Sequence, residues 1–253
     1  MDLALRGKVA LVTGGSRGLG EAVCRELAAE GARVVVNYRH QREQAERVAS
    51  TIAEAGRGEA RAMPADVARG ADVAWLFDAV EAVWGKVDIL VNSAGIWPTA
   101  LVKDLSEEVW DQTLAVNLKG VFLTCREAVR RWLAAGRGGR IVNVASPAAF
   151  LGATTGHADY AAAKGGVVSF TVSLAREVAR HGIYVNAVAP GMMETDMARE
   201  ALVANREYYL SRIPLGRIGD PGEVARMIVF LASERASYTT GATFDVSGGM
   251  LMR

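Results

Sequence analysis

The chain has 253 residues, 51% of them apolar and 23% charged, a balance that supports a large buried core and excludes a disordered polypeptide. Lysine and arginine number 29 against 28 acidic residues, so the net charge of +1 lacks the basic excess of a protein that binds nucleic acid or an anionic membrane. No apolar run reaches the roughly 18 residues of a membrane span, and the N-terminus carries Asp2, Arg6 and Lys8 where a signal peptide has its apolar core, so a cytoplasmic protein is expected.

In chain order, residues 8–13 read as a β-branched strand, followed by a glycine cluster and a helix over 21–30 closed by Gly31. Residues 33–37 read as a strand, 41–55 as an amphipathic helix, 60–63 as a third strand, 71–83 as a helix and 87–91 as a fourth strand. One long helix is expected over 107–134, then a strand at 140–145, an alanine-rich helix at 159–180, and a strand at 183–188 that stops at Ala189-Pro190-Gly191. A helix at 221–232 and a strand at 243–246 close the chain. Between them, 191–216 is a long segment of weak strand character beside the strand ends, and an active-site lid is expected there.

Strands alternating with helices, without the in-out alternation of a half-solvated sheet, predict one doubly wound α/β domain spanning 1–253: a Rossmann arrangement with a seven-stranded parallel sheet covered by helices on both faces. Cys24 and Cys125 each fall within a helical pattern with no Cys or His at ligand spacing, so they read as buried structural thiols and no metal site is expected.

Thr13-Gly14-Gly15-Ser16-Arg17-Gly18-Leu19-Gly20 lies between the first strand and the first helix, where glycines allow a tight turn and the helix start offers unpaired N–H groups to a pyrophosphate. The glycines fall at 14, 18 and 20 with Gly15 extra, which departs from G-x-G-x-x-G spacing, so an ordinary glycine turn remains the alternative. About 20 residues on, an NAD-binding chain carries an acid for the ribose 2′-hydroxyl. Here the stretch is Asn37-Tyr38-Arg39-His40-Gln41, with no carboxylate. Arg39, together with Arg17, suits a 2′-phosphate, which favours NADP(H) over NAD; the alternative is that Arg39 is a solvated charge at a helix start.

Tyr160-Ala-Ala-Ala-Lys164 sets a phenol and an ammonium one turn apart on one helix face. A neighbouring cation stabilises a phenolate and lowers its pKa, so Lys164 is expected to lower that of Tyr160. Taken alone the pair also reads as a surface contact. Ser146 follows the fifth strand at its C-terminal end, placed to hydrogen-bond a carbonyl oxygen while Tyr160 protonates it. A lone serine there is otherwise a turn or cap residue. Asn117 stands in a helix interior, where an asparagine with no task is mildly unfavourable.

The run from Thr13 to Gly20, with Asp66, Asn92-Ser93-Ala94-Gly95, Asn117, Ser146, Tyr160-x3-Lys164 and Pro190-Gly191, resembles the short-chain dehydrogenase/reductase family over essentially the whole chain. The resemblance implies catalysis by Asn117, Ser146, Tyr160 and Lys164, with Asn117 and Lys164 holding a proton-relay water. It also implies a cofactor held by Gly14, Ser16, Arg17, Gly18, Leu19 and Gly20, by Tyr38 and Arg39, and by Asp66 and Val67 at the adenine. Asn92, Ala94 and Gly95 then line the cofactor beside Tyr160 and Lys164, and Pro190, Gly191, Met193 and Thr195 meet the nicotinamide carboxamide.

Two departures stand out: Ser93 replaces the second asparagine of the family's Asn-Asn-Ala-Gly, and Ser146 precedes Tyr160 by 14 residues where 13 is commoner. Within the family, Pro214-Leu-Gly-Arg-Ile-Gly219, Pro221-x-Glu-Val-Ala225 and the stretch from Gly241 to Gly249 resemble the 3-oxoacyl-acyl-carrier-protein reductases. This implies NADPH-dependent reduction of a β-keto thioester whose carrier protein docks on basic residues beside the pocket. Arg137 matches one such docking arginine, while the second falls on His181 beside Arg180. A dehydrogenase of sugars, polyols or secondary alcohols is the alternative, and a non-catalytic NADP-binding regulator is a third reading. The family pattern further implies a homotetramer with interfaces on the 107–134 and 159–180 helices and the C-terminal strand region. Trp97, Phe150 and His157 are expected to shape the substrate end, His157 as a loop histidine packing near the pocket, with a substrate contact as the alternative.

Overall fold

A computed structural model describes residues 2–56 and 58–252. Seven parallel strands form one sheet in the order β3-β2-β1-β4-β5-β6-β7. They are β1 (Val9–Thr13), β2 (Arg33–Tyr38), β3 (Glu59–Pro64), β4 (Ile89–Asn92), β5 (Gly139–Val144), β6 (Ile183–Pro190) and β7 (Thr243–Val246). The central strands are apolar on both faces: Val9 to Val12 and Val34 to Val36 are all buried, as a sheet sandwiched between helices requires.

Helices α1 (Gly18–Ala29), α2 (Arg42–Glu54) and α9 (Pro221–Ala232) cover one face, with Val23, Leu27, Val48, Ile52, Val224 and Ile228 packed against β1 and β2. Helices α3 (Gly70–Trp84), α5 (Gly120–Ala134) and α7 (Ala158–Val178) cover the other through Leu76, Phe77, Trp132, Val167 and Leu174. α9 starts on a capping box: Asp220 accepts from Gly222 N–H, Glu223 accepts from Asp220 N–H, and Pro221 sits where no helical N–H is needed.

The structure departs from the sequence expectation in three places that matter for the site. The expected single helix over 107–134 is α4 (Glu107–Leu114), a π-turn at Ala115–Lys119, and α5. In the π-turn Gly120 N–H reaches back to the Ala115 carbonyl, a widening that often marks functional positions. The 191–216 segment carries helix α8 (Arg199–Ser211), kinked where Asn205 leaves helical geometry, and a short α6 (Ala148–Leu151) precedes α7. Ala198, Leu202, Tyr209 and Ile213 bury one side of α8 in a small separate core. Among the described residues no helix is long and apolar enough to cross a membrane.

Candidate active site

The sheet order reverses between β1 and β4, and strands from both halves end at a single cleft of about 430 Å³, the crevice in which open parallel sheets place ligands. Its wall includes Gly14, Ser16, Arg17, Gly18, Leu19 and Gly20 from the first turn, then Tyr38, Arg39, Asp66 and Val67, and Ala94 and Gly95. Ser146, Tyr160, Lys164, Pro190, Gly191, Met193 and Thr195 complete it on the far side. Two expected residues stand behind the wall instead. The Asn92 amide donates to Asn143 Oδ1 at 2.9 Å and accepts from Thr124 Oγ1 at 2.7 Å, tying β4 to β5 and α5. Asn117 is fully buried.

At the first turn, Gly14 has φ +65°, and a Cβ there would lie 2.7 Å from Ala94 Cα; a Cβ on Gly20 would collide with the Gly14 carbonyl oxygen. The Thr13 hydroxyl accepts from Ser93 and Ala94 N–H, each at 3.1 Å, clamping the β1 and β4 ends together. Helix α1 begins after Arg17 with no side chain capping it. A cradle too tight for side chains, ending in an uncapped helix start, fits a pyrophosphate.

Arg39 is not a free cation. Its Nε lies 3.1 Å from Asp66 Oδ2, so the residue expected at the 2′-phosphate pairs with the one expected at the adenine. The pair is partly solvated, and such exposed pairs contribute only ~0–1 kcal/mol, so a phosphate can displace Asp66 as the partner of Arg39. Asp66 is also fixed from below, accepting from Ala68 N–H at 3.0 Å.

At the other end of the cleft, Ser146 leaves β5 beside the Tyr160 phenol presented by α7, its Oγ accepting from Ala148 N–H at 3.2 Å. Burial pushes Tyr160 up to about 12, against a smaller lowering from Ser146. This reverses the lowering expected from Lys164, because desolvation of a phenolate outweighs the rest. Lys164 is itself buried and pushed down to about 8 by desolvation; its ammonium donates to the Val144 carbonyl at 2.7 Å and lies 5.6 Å from the Tyr160 ring centre. Asn117, held by the π-turn, accepts from Ile96 N–H at 3.0 Å and donates to Ile96 C=O at 2.9 Å. Its amide therefore positions the loop after β4 that carries Gly95.

Trp97 lines the cleft and Phe150 does not. His157 stacks on Trp97 with ring centres 4.3 Å apart and donates from Nδ1 to the Pro98 carbonyl, so it packs the wall from behind. Arg137 is not beside the pocket of its own chain. It precedes β5 and donates to the Val87 carbonyl at 2.7 Å, a strand length, roughly 20 Å, from Ser146. Sequence reasoning did not find Tyr209, Arg212 and Met250, which also line the cleft. The signal for the first two was the four- and seven-residue spacing of Ala198, Leu202, Tyr209 and Ile213, which marks a helix face. Among the described residues no group of three metal-ligating side chains is assembled.

The family model for enoyl-(acyl carrier protein) reductase matches residues 14–251. A 3-oxoacyl-[acyl-carrier-protein] reductase from Synechocystis is 45% identical over 98% of this chain and 99% of its own. FabG of Escherichia coli, with the same activity in its name, is 41% identical over 97% and 98%. Among solved structures, an Agrobacterium tumefaciens protein with bound NADP, provisionally named a 2-deoxy-D-gluconate 3-dehydrogenase, superposes with TM-score 0.91 at 41% identity, covering 100% and 99% of the two chains. A dehydrogenase/reductase from Sinorhizobium meliloti superposes with TM-score 0.92 at 36% identity, covering 99% and 98%.

Proposed function

This chain belongs to the short-chain dehydrogenase/reductase family, and on that premise we propose that it is an NADP(H)-dependent reductase that turns the ketone of a 3-oxoacyl thioester, carried on acyl carrier protein, into a secondary alcohol. One observation carries the reading: Ser146, Tyr160 and Lys164 line the same cleft as the glycine turn. When bound, NADPH supplies a hydride to the carbonyl carbon. Ser146 orients the carbonyl oxygen by donating to it. Tyr160, kept protonated by its raised pKa, delivers its phenolic proton to that oxygen as negative charge develops there. Lys164 places positive charge beside the phenolate that remains, and Asn117 holds the Gly95 loop in place.

The matched family model names enoyl reduction, in which a C=C bond is reduced and no alcohol forms. Two hydroxyls on one cleft wall, one of them a proton donor, suit an oxygen that becomes an alcohol. A sugar or secondary-alcohol dehydrogenase is the second reading, supported by the Agrobacterium neighbour. The same proposal treats the whole chain as one cytoplasmic domain, the 191–216 segment with α8 as the substrate lid, and the assembly as a homotetramer.

Steady-state oxidation of NADPH with acetoacetyl and crotonyl thioesters, beside a panel of keto sugars and simple ketones, tests it. Acetoacetyl turnover is expected; turnover of the panel with no thioester reduction would overturn the 3-oxoacyl reading. Tyr160→Phe is expected to lower kcat by at least a hundredfold with NADPH affinity unchanged, as loss of a general acid does. An unaffected variant would leave only a nucleotide binder.

A further inference from the structure

Among the described residues, two arginines on the cleft wall have no carboxylate partner, Arg17 and Arg212. Arg39 pairs with Asp66, Asp196 pairs with Arg199, Lys164 is bound to the Val144 carbonyl, and Arg17 stands at the glycine turn. Arg212, one residue past α8, lines the cleft. It is solvent-exposed and meets Tyr208, donating from Nη1 to the phenolic oxygen at 2.9 Å and stacking over the ring at 5.4 Å. Among the described residues no carboxylate neutralises it.

Its place in the fold separates it from the nucleotide phosphates. The chain just beyond Arg212 is pinned to the segment after β7, with Leu215 N–H donating to Gly248 C=O at 3.1 Å. β7 lies four strand steps from β1 and its glycine turn, roughly 19 Å. It is two steps, roughly 10 Å, from β5, which delivers Ser146. The small core beside it is apolar and adaptable: Met192 and Met250 pack with Tyr209 and Ile213. An exposed guanidinium with no carboxylate partner, beside such a core and at the substrate end of the cleft, is placed to receive an anion.

We propose that Arg212 is a specificity-determining residue that binds an anionic group of the substrate remote from the reacting carbonyl, a carboxylate or a phosphate ester. The inference rests on the carbonyl-reductase reading and deepens it. A carrier-bound thioester brings such an anion as the phosphate of its pantetheine arm, and a keto sugar acid brings it as a carboxylate. The contact lies away from the hydride and proton transfers, so it governs KM and leaves kcat nearly unchanged.

The test compares wild type, Arg212→Ala and Arg212→Lys on three substrates: acetoacetyl-coenzyme A, the uncharged acetoacetyl-N-acetylcysteamine, and a keto sugar acid. Calorimetric titration of the enzyme–NADP⁺ complex with 4′-phosphopantetheine and with gluconate gives a readout independent of turnover. Arg212→Ala is expected to raise KM for the charged substrate, or Kd for the matching anion, roughly tenfold to a hundredfold, the scale of a lost charged hydrogen bond. KM for the neutral thioester and for NADPH stays within twofold, and Arg212→Lys recovers part of the loss. The arm that responds identifies the anion as phosphate or carboxylate. Equal effects on neutral and charged substrates, or unchanged affinity for both anions, would overturn the proposal. Failure of the wild type to reduce any thioester would instead remove the 3-oxoacyl reading, leaving Arg212 to be judged on the sugar acid and the two titrations.

Discussion

A buried lysine costs stability unless its charge is used, and Lys164 shows the cost directly. Its folded pKa of about 8 lies below the ordinary 10.5, so between those values the unfolded chain holds more protons and stability rises with pH. Below about pH 8 the penalty is present in full. Lys164→Met is therefore expected to stabilise the fold at pH 7 by about 1–3 kcal/mol, with the Val144 carbonyl losing its donor. Urea unfolding should show that gain shrinking by pH 9.5, while turnover collapses. The same titration predicts that kcat/KM for NADPH, which reports the free enzyme, falls as pH rises through about 8. A flat profile to pH 10 would mean that the ammonium is not required. Arg39 is the second residue whose partner sets its task. Arg39→Asp removes the cation and places an acid beside Asp66, so the NADPH-to-NADH preference should fall by at least tenfold. An unchanged ratio in parallel assays would show that the 2′-phosphate is recognised elsewhere.

Elements were legible in the sequence where their signal is local. The glycine turn between strand and helix, and the four-residue spacing of Tyr160 and Lys164, are short-range patterns, and the structure puts both in one cleft. The π-turn was not legible, because its cause lies across the fold: Asn117 bonds to the backbone of Ile96, 21 residues earlier, and Gly166 lets α7 press against Leu118. The Arg39–Asp66 pair escaped for the same reason, since β2 and β3 must be paired before those side chains meet. Helix α8 had a readable apolar face, diluted by the kink at Asn205 and by polar neighbours. Asn117→Ala tests whether the π-turn serves the loop. It leaves the Ile96 N–H and C=O without partners, so it should cost roughly 1–3 kcal/mol and lower kcat more than it raises KM for NADPH. Loss of stability with full turnover would make the contact purely structural.

At the scale of the whole molecule, the helices on the α3, α5 and α7 face leave apolar side chains in solvent that a lone chain has no reason to expose. Trp110 on α4 and Phe122 and Leu133 on α5 are 38%, 41% and 42% exposed. The Phe122 ring meets Phe170 of α7 edge-on with centres 6.2 Å apart, and the Arg126 guanidinium lies 5.2 Å from its centre. Exposed aromatic and aliphatic groups gathered on adjacent helices suit a surface made to be covered, and in the proposed homotetramer a second copy of the same helices would cover it by two-fold symmetry. Tyr160 and Lys164 lie on the same α7 as Phe170, so burying that face also steadies the helix that carries the chemistry. Sedimentation of the wild-type chain is expected to give a species four times the chain mass. Phe122→Glu places a charge in the centre of the proposed contact and should reduce the species to a dimer or monomer, lower the melting temperature by several degrees, and reduce turnover in proportion to the dissociated fraction. A wild-type monomer at micromolar concentration, or a Phe122→Glu tetramer of unaltered stability, would show that these helices face solvent in the working enzyme.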